Sequence, residues 1–257
     1  MGYVHTRDHV KIFYRLIGTG QKTILFIHPP GMGHITFKQQ LPLSNHFRLL
    51  YIDLRGNGKS EKGEHPIRFS LLARDISDVC AQLEIPKVII CGYSNGASIA
   101  LETSLNYPNL VEGLLLIGAF PKVDSILLYS EFLLGILTAQ CNGMGIISKT
   151  IAYAHSYSKK FAEEMAAYFK KTEANTLYQY YKEGLTYDCS ERLRDITAPL
   201  LLIYGELDYY VHHYQKEFIA CLPDTKVAYV SGAKHQVPTK FPNELNAITR
   251  EFIRTLK

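Results

Sequence analysis

The chain has 257 residues, 47% of them hydrophobic, enough to bury a large core within one domain. Its 28 basic and 24 acidic residues leave a net charge of only +4, spread along the sequence, which argues against a nucleic-acid partner. Five cysteines at irregular spacing suggest neither a disulfide framework nor a zinc site, and they read as reduced, buried small apolar residues, Cys80 on a helix face and Cys91 in a strand. No basic start with a long apolar region opens the chain. The most apolar later stretch, residues 126–137, is short and interrupted by Glu131, so a soluble cytoplasmic protein away from membranes is expected. Met1-Gly2 with Thr6 fits a short myristoylation pattern, but residues 3–14 alternate as a first strand does.

In chain order, residues 3–16 predict an antiparallel start. Strands are expected near 23–28, 48–53, 87–92, 113–118, 199–204 and 226–230, several continuously apolar as buried parallel strands are. Helices fit between them. Ser70 is expected to cap one in which Leu72, Ile76, Val79, Cys80 and Leu83 recur at helical spacing, and the last, after Pro242, carries Leu245, Ile248, Phe252 and Leu256. Alternation of strand and helix predicts an α/β fold with a mostly parallel central sheet flanked by helices.

Between Phe120 and Ala198 the strand rhythm stops, and helical, aromatic-rich segments take over. Residues 1–257 therefore read as one domain with a helical cap inserted at about 121–197. Phe161, Met165, Tyr168 and Phe169 share one helical face, a pattern that usually marks core and otherwise a pocket wall. Tyrosines 153, 157, 178, 180, 181 and 187 give the cap amphipathic surfaces, some of them expected to line a cleft.

Chemistry enters at Gly92-Tyr93-Ser94-Asn95-Gly96, which follows an apolar run and opens a small-residue segment. Strand, sharp turn and helix make this a nucleophile elbow, with glycines where side chains would clash and Ser94 as candidate nucleophile. Asp208 lies just past the C-terminal end of the strand at 199–204, where a triad acid belongs; Glu206 and Asp124 are alternative acids. His235, on the loop before the C-terminal helix, is the candidate general base. The order Ser94, Asp208, His235 differs from the chymotrypsin-like and subtilisin-like orders. An oxyanion needs two backbone N–H donors, here those of Asn95 and of the loop His28-Pro29-Pro30-Gly31-Met32-Gly33. His28, His34, His155, His212 and His213 are assigned no role beyond solvent or structural hydrogen bonding.

These segments, with Asp53-Leu54-Arg55-Gly56-Asn57-Gly58-Lys59-Ser60, resemble the α/β-hydrolase superfamily over nearly the whole chain. The departure is the oxyanion loop, where many members carry His-Gly-x-Gly. Alignment on His28 makes Pro30 the donor, which has no N–H; alignment on Gly31 and Gly33 makes it Met32, with His28 orienting the loop or simply a satisfied structural histidine. The resemblance implies a serine hydrolase cleaving a small carboxylic ester through an acyl-serine intermediate, with no cofactor or metal and a small-molecule ester or related acyl compound as its partner. A serine at position 94 argues against dehalogenase and epoxide hydrolase chemistry, for which aspartate is expected there. A ligand-binding or regulatory protein with slow turnover, or a cofactor-free lyase or perhydrolase on the same triad, stays open, as do thioester, lactone and carbon–carbon bond hydrolysis.

Overall fold

The computed structural model describes residues 1–256. Its centre is an eight-stranded sheet in the order β1-β2-β4-β3-β5-β6-β7-β8. The strands are β1 (Gly2–His5), β2 (Lys11–Ile17), β3 (Thr23–Ile27), β4 (Arg48–Ile52), β5 (Val88–Tyr93), β6 (Val111–Ile117), β7 (Leu200–Gly205) and β8 (Lys226–Val230). β1 with β2 and β2 with β4 are antiparallel, and every pairing from β4 to β8 is parallel. The predicted α/β class and mostly parallel sheet are therefore what the chain forms. The antiparallel start is a hairpin, folded over a turn in which His9 takes a left-handed φ of 63°.

Continuous apolar runs form the parallel strands because both faces of the sheet are covered. Alternate residues Leu25, Ile27, Val88, Ile90, Leu114 and Leu116 enter one core with α1 (Phe69–Gln82) and α2 (Asn95–Asn106). Their neighbours Ile24, Phe26, Ile89, Cys91, Leu115 and Ile117 enter the other, against the 3₁₀ segment His34–Asn45 and the last helix of the chain. Ser70 lies inside the first turn of α1, after Arg68 at the N-cap, and caps nothing; the chain stays extended only through Arg68, so the helix starts two residues earlier than the serine signal suggests. Cys141 is exposed and Cys221 half-buried, so the reading of every cysteine as buried fails for those two; all five are free.

Between β6 and β7 run α3 (Ile126–Gln140), α4 (Met144–Ala154), α5 (Lys159–Phe169) and α6 (Ala174–Thr186). α3 lies against α6 and α4 against α5. The stripe Phe161, Met165, Tyr168 and Phe169 is buried, and it packs with Met32 and Ile35 from the loop after β3. The remaining helices are α7 (Tyr209–His212), α8 (Gln215–Cys221), α9 (Val237–Lys240) and α10 (Pro242–Thr255), the last with proline in its first turn. Leu256 falls just past the end of α10. Among the described residues no helix is long and apolar enough to cross a membrane.

Candidate active site

Ser94 sits between the last residue of β5 and the first of α2, with φ 53° and ψ −126°. A serine held in that sparsely populated region is strained, and its surroundings hold it there: its N–H donates to the Ile117 carbonyl of β6 at 2.8 Å. The flanking glycines answer to close approach. A Cβ on Gly92 would lie 2.7 Å from the Gly96 carbonyl oxygen, and one on Gly96 would run into the Ile27 carbonyl.

Asp208 follows β7 and is 2% exposed; His235 follows β8 and is 8% exposed. His235 Nδ1 donates to Asp208 Oδ2 at 2.7 Å, which fixes the tautomer and leaves Nε2 facing away from the acid. Burial pushes the imidazole pKa down, but the hydrogen bond and charge of Asp208, helped by Glu131, outweigh it and leave the pKa above the usual 6.5. Neither alternative acid reaches this histidine. Glu206 accepts from Ser231 Oγ and the Gly232 N–H, and Asp124 pairs with His213 and Lys122.

Ser94 and His235 line one cavity of about 100 Å³ together with Pro29, Pro30, Met32 and Asn95. Helical segments contribute Leu128, Glu131 and Phe132 of α3, Ile151 of α4, Tyr181 of α6 and Tyr210 of α7. Asn95 N–H, first in its helix, has no intrahelical carbonyl to bond. The Met32 N–H closes a Pro-Gly turn onto the Pro29 carbonyl with a long 3.3 Å bond, and the Gly31 N–H is held by Asn57 Oδ1 at 2.7 Å. His28 is fully buried and orients this loop. Its Nε2 accepts from the Leu54 N–H at 2.9 Å, so its Nδ1 carries the proton and donates to the Pro29 carbonyl at 2.7 Å. Burial pushes its pKa down to about 4.

Several groups here carried no sequence signal. Gly118, at the end of β6 with φ 59°, makes room for the imidazole: a Cβ there would lie 2.5 Å from His235 Cε1. Tyr93, beside the nucleophile, donates its hydroxyl to His155 Nε2 at 2.9 Å, while His155 Nδ1 donates to the Ile151 carbonyl at 2.8 Å. This strut ties the end of α4 to the elbow, and burial lowers the His155 pKa to about 4, which keeps the ring neutral. The Asn95 side-chain amide is buried at the cavity with no partner among the described residues. Each depends on elements distant in sequence. A glycine or tyrosine at a strand end could have been singled out only by its spacing from Ser94.

Residues 43–239 match the family model described as serine aminopeptidase, S33. The chain belongs to that family. Membership agrees with the α/β-hydrolase fold, and it makes the chain a member of a hydrolase family. A pimeloyl-[acyl-carrier protein] methyl ester esterase from Wigglesworthia glossinidia brevipalpis is 29% identical over 210 residues, covering 76% of this chain and 78% of the relative. A probable alcohol acetyltransferase from Cyberlindnera jadinii is 26% identical over 217 residues, 83% of this chain, which spans only 58% of that relative's length. Among solved structures, an esterase from Exiguobacterium antarcticum superposes with a TM-score of 0.89 at 19% identity, over 99% of this chain and all of that one. At that identity the likeness speaks for the fold alone.

Proposed function

We propose that this S33-family chain is a serine hydrolase that cleaves a small carboxylic ester through an acyl-serine intermediate. The observation that carries the reading is the shared cavity. A serine strained at a strand-to-helix turn lines it together with a histidine whose Nδ1 is held by a buried aspartate at 2.7 Å, which leaves Nε2 free to serve as base.

Ser94 Oγ attacks the ester carbonyl carbon while His235 Nε2 takes its proton. The oxyanion faces the Asn95 N–H, and Met32 supplies the second donor by sharing its long bond to Pro29. The ester C–O bond then breaks, and His235 returns the proton to the departing alcohol. Water attacks the acyl-serine with His235 as base, which releases the acid and restores Ser94. Asp208 holds the imidazole and stabilises its charged form. The helices between β6 and β7, at about 121–197, act as a cap within one domain, since four of them put side chains on this cavity or on the loop beside it. The cavity is small, about 100 Å³, which suits a short acyl group. The five free thiols suit a reducing compartment such as the cytoplasm.

The test is intact-mass analysis after exposure to a fluorophosphonate, run beside Ser94→Ala. One adduct on the native chain and none on the variant is expected. No adduct on folded protein sinks the proposal.

A further inference from the structure

A second cavity, of about 430 Å³, lies beyond the loop that carries Met32. None of its lining residues lines the catalytic cavity. Its floor comes from the antiparallel pairing of β2 with β4, which sets Arg15 opposite Tyr51. Lys59, from the turn after β4, and Lys38, from the 3₁₀ segment, complete a basic rim.

Two observations mark this cavity as more than a solvated basic patch. Tyr51 is 97% buried, given its 3% exposure, yet its hydroxyl has no hydrogen-bond partner among the described residues. A buried hydroxyl without a partner destabilises the chain, a penalty that a bound acceptor removes. The charges are also unequal. The one carboxylate on the wall, Glu164, is taken by Lys38 at 2.8 and 3.0 Å. Arg15 and Lys59 have no carboxylate partner among the described residues, and Lys59 instead sits 4.5 Å from the Phe13 ring centroid. Asp53, behind the wall, is committed to His34 and to the Tyr168 hydroxyl. Ile35 and Leu41 add apolar surface beside the cations.

We infer that this cavity is a binding site for a small organic oxyanion, a carboxylate or phosphate monoester. Its charged end lies between Arg15, Lys59 and the Tyr51 hydroxyl, and its apolar body rests on Ile35 and Leu41. Arg15 offers the planar fork that suits either anion, Lys59 a point charge, and Tyr51 a hydrogen bond already desolvated.

Isothermal titration of the full chain with phenyl phosphate and with benzoate tests this, with uncharged benzamide as control. Saturable binding of one or both anions, but not of benzamide, is expected. Arg15→Gln and Lys59→Gln should each weaken it about tenfold and Tyr51→Phe about fivefold. Lys59 is exposed, so its variant should fold even if a change at Arg15 disturbs the sheet edge. Ser94→Ala, which removes nothing from this cavity, should bind as the native chain does. The inference is overturned by the absence of saturable binding of either anion up to about 10 mM. It is equally overturned by binding that survives both cation variants, or by binding abolished in Ser94→Ala.

Discussion

At the scale of single residues, the candidate site depends on where the His235 ring is held. Its raised pKa sets the sign of the pH dependence: as pH falls through that value, Nε2 gains a proton and can no longer accept one from Ser94. The acid limb of kcat/KM for a short-chain nitrophenyl ester should therefore inflect above 6.5, the usual histidine value. Asp208→Asn should lower that inflection and reduce kcat by about four decades, because the imidazole loses its tautomer and the stabilisation of its charge. An unshifted inflection would detach Asp208 from the chemistry. Gly118 tests the same ring sterically. Gly118→Ala puts a Cβ 2.5 Å from His235 Cε1 at a φ that disfavours it, and about two decades in kcat should go with the displaced imidazole. Native turnover in that variant would show that the ring has room to spare.

At the scale of elements, the turn after β4 explains why the Asp53 to Ser60 motif belongs with the elbow although none of its residues lines the cavity at Ser94. Arg55 is fully buried and forks onto Asp75 of α1 through Nε and Nη2 at 2.7 and 2.6 Å, with Asp8 at 2.9 Å. Ser60 Oγ donates to the Asp53 carbonyl and accepts from the Phe13 N–H, and Asn57 holds Gly31. The motif thus braces the loop after β3 from behind. Arg55→Ala should cost about 3–5 kcal/mol in urea unfolding, because it leaves the Asp75 carboxylate buried without its guanidinium. A loss below about 1 kcal/mol would mean that water or Arg74 replaces the pair.

At the scale of the whole molecule, acid stability follows from histidines that the fold buries neutral. His28 and His155 have folded pKa values near 4, whereas in the unfolded chain they titrate near 6.5. Between those values the unfolded chain binds protons that the folded one refuses. Stability should therefore fall as pH drops from 6.5 toward 4, by up to about 1.4 kcal/mol per pH unit for each ring. His235 acts in the opposite sense: its folded pKa is raised, so its contribution is full below 6.5 and is lost as pH rises through the folded value. Urea midpoints measured from pH 7 to pH 4.5 should show the decline, and His155→Gln should flatten it. An equal slope in the variant would mean that the His155 ring titrates alike in both states.

The sequence by itself determined what is written in local pattern. Apolar runs of five to seven residues made parallel strands because a sheet covered on both faces needs no polar alternation, and the glycines around Ser94 announced a turn in which Cβ atoms cannot fit. Asp208, Glu206 and Asp124 all follow strand ends, which names the candidate acids, and of the three it is Asp208 that reaches His235. What only the tertiary structure decided depends on contacts across the chain. Ser70 looks like a cap in isolation, yet the chain turns helical before it. The turn that engages the Met32 N–H, the room Gly118 leaves for an imidazole more than a hundred residues away, the strut from Tyr93 to His155, and the unpaired cations around Tyr51 arise where distant segments meet. Short-range periodicity carries no record of such meetings, because the forces that fix them, close packing and desolvation, act between residues that are neighbours only after folding.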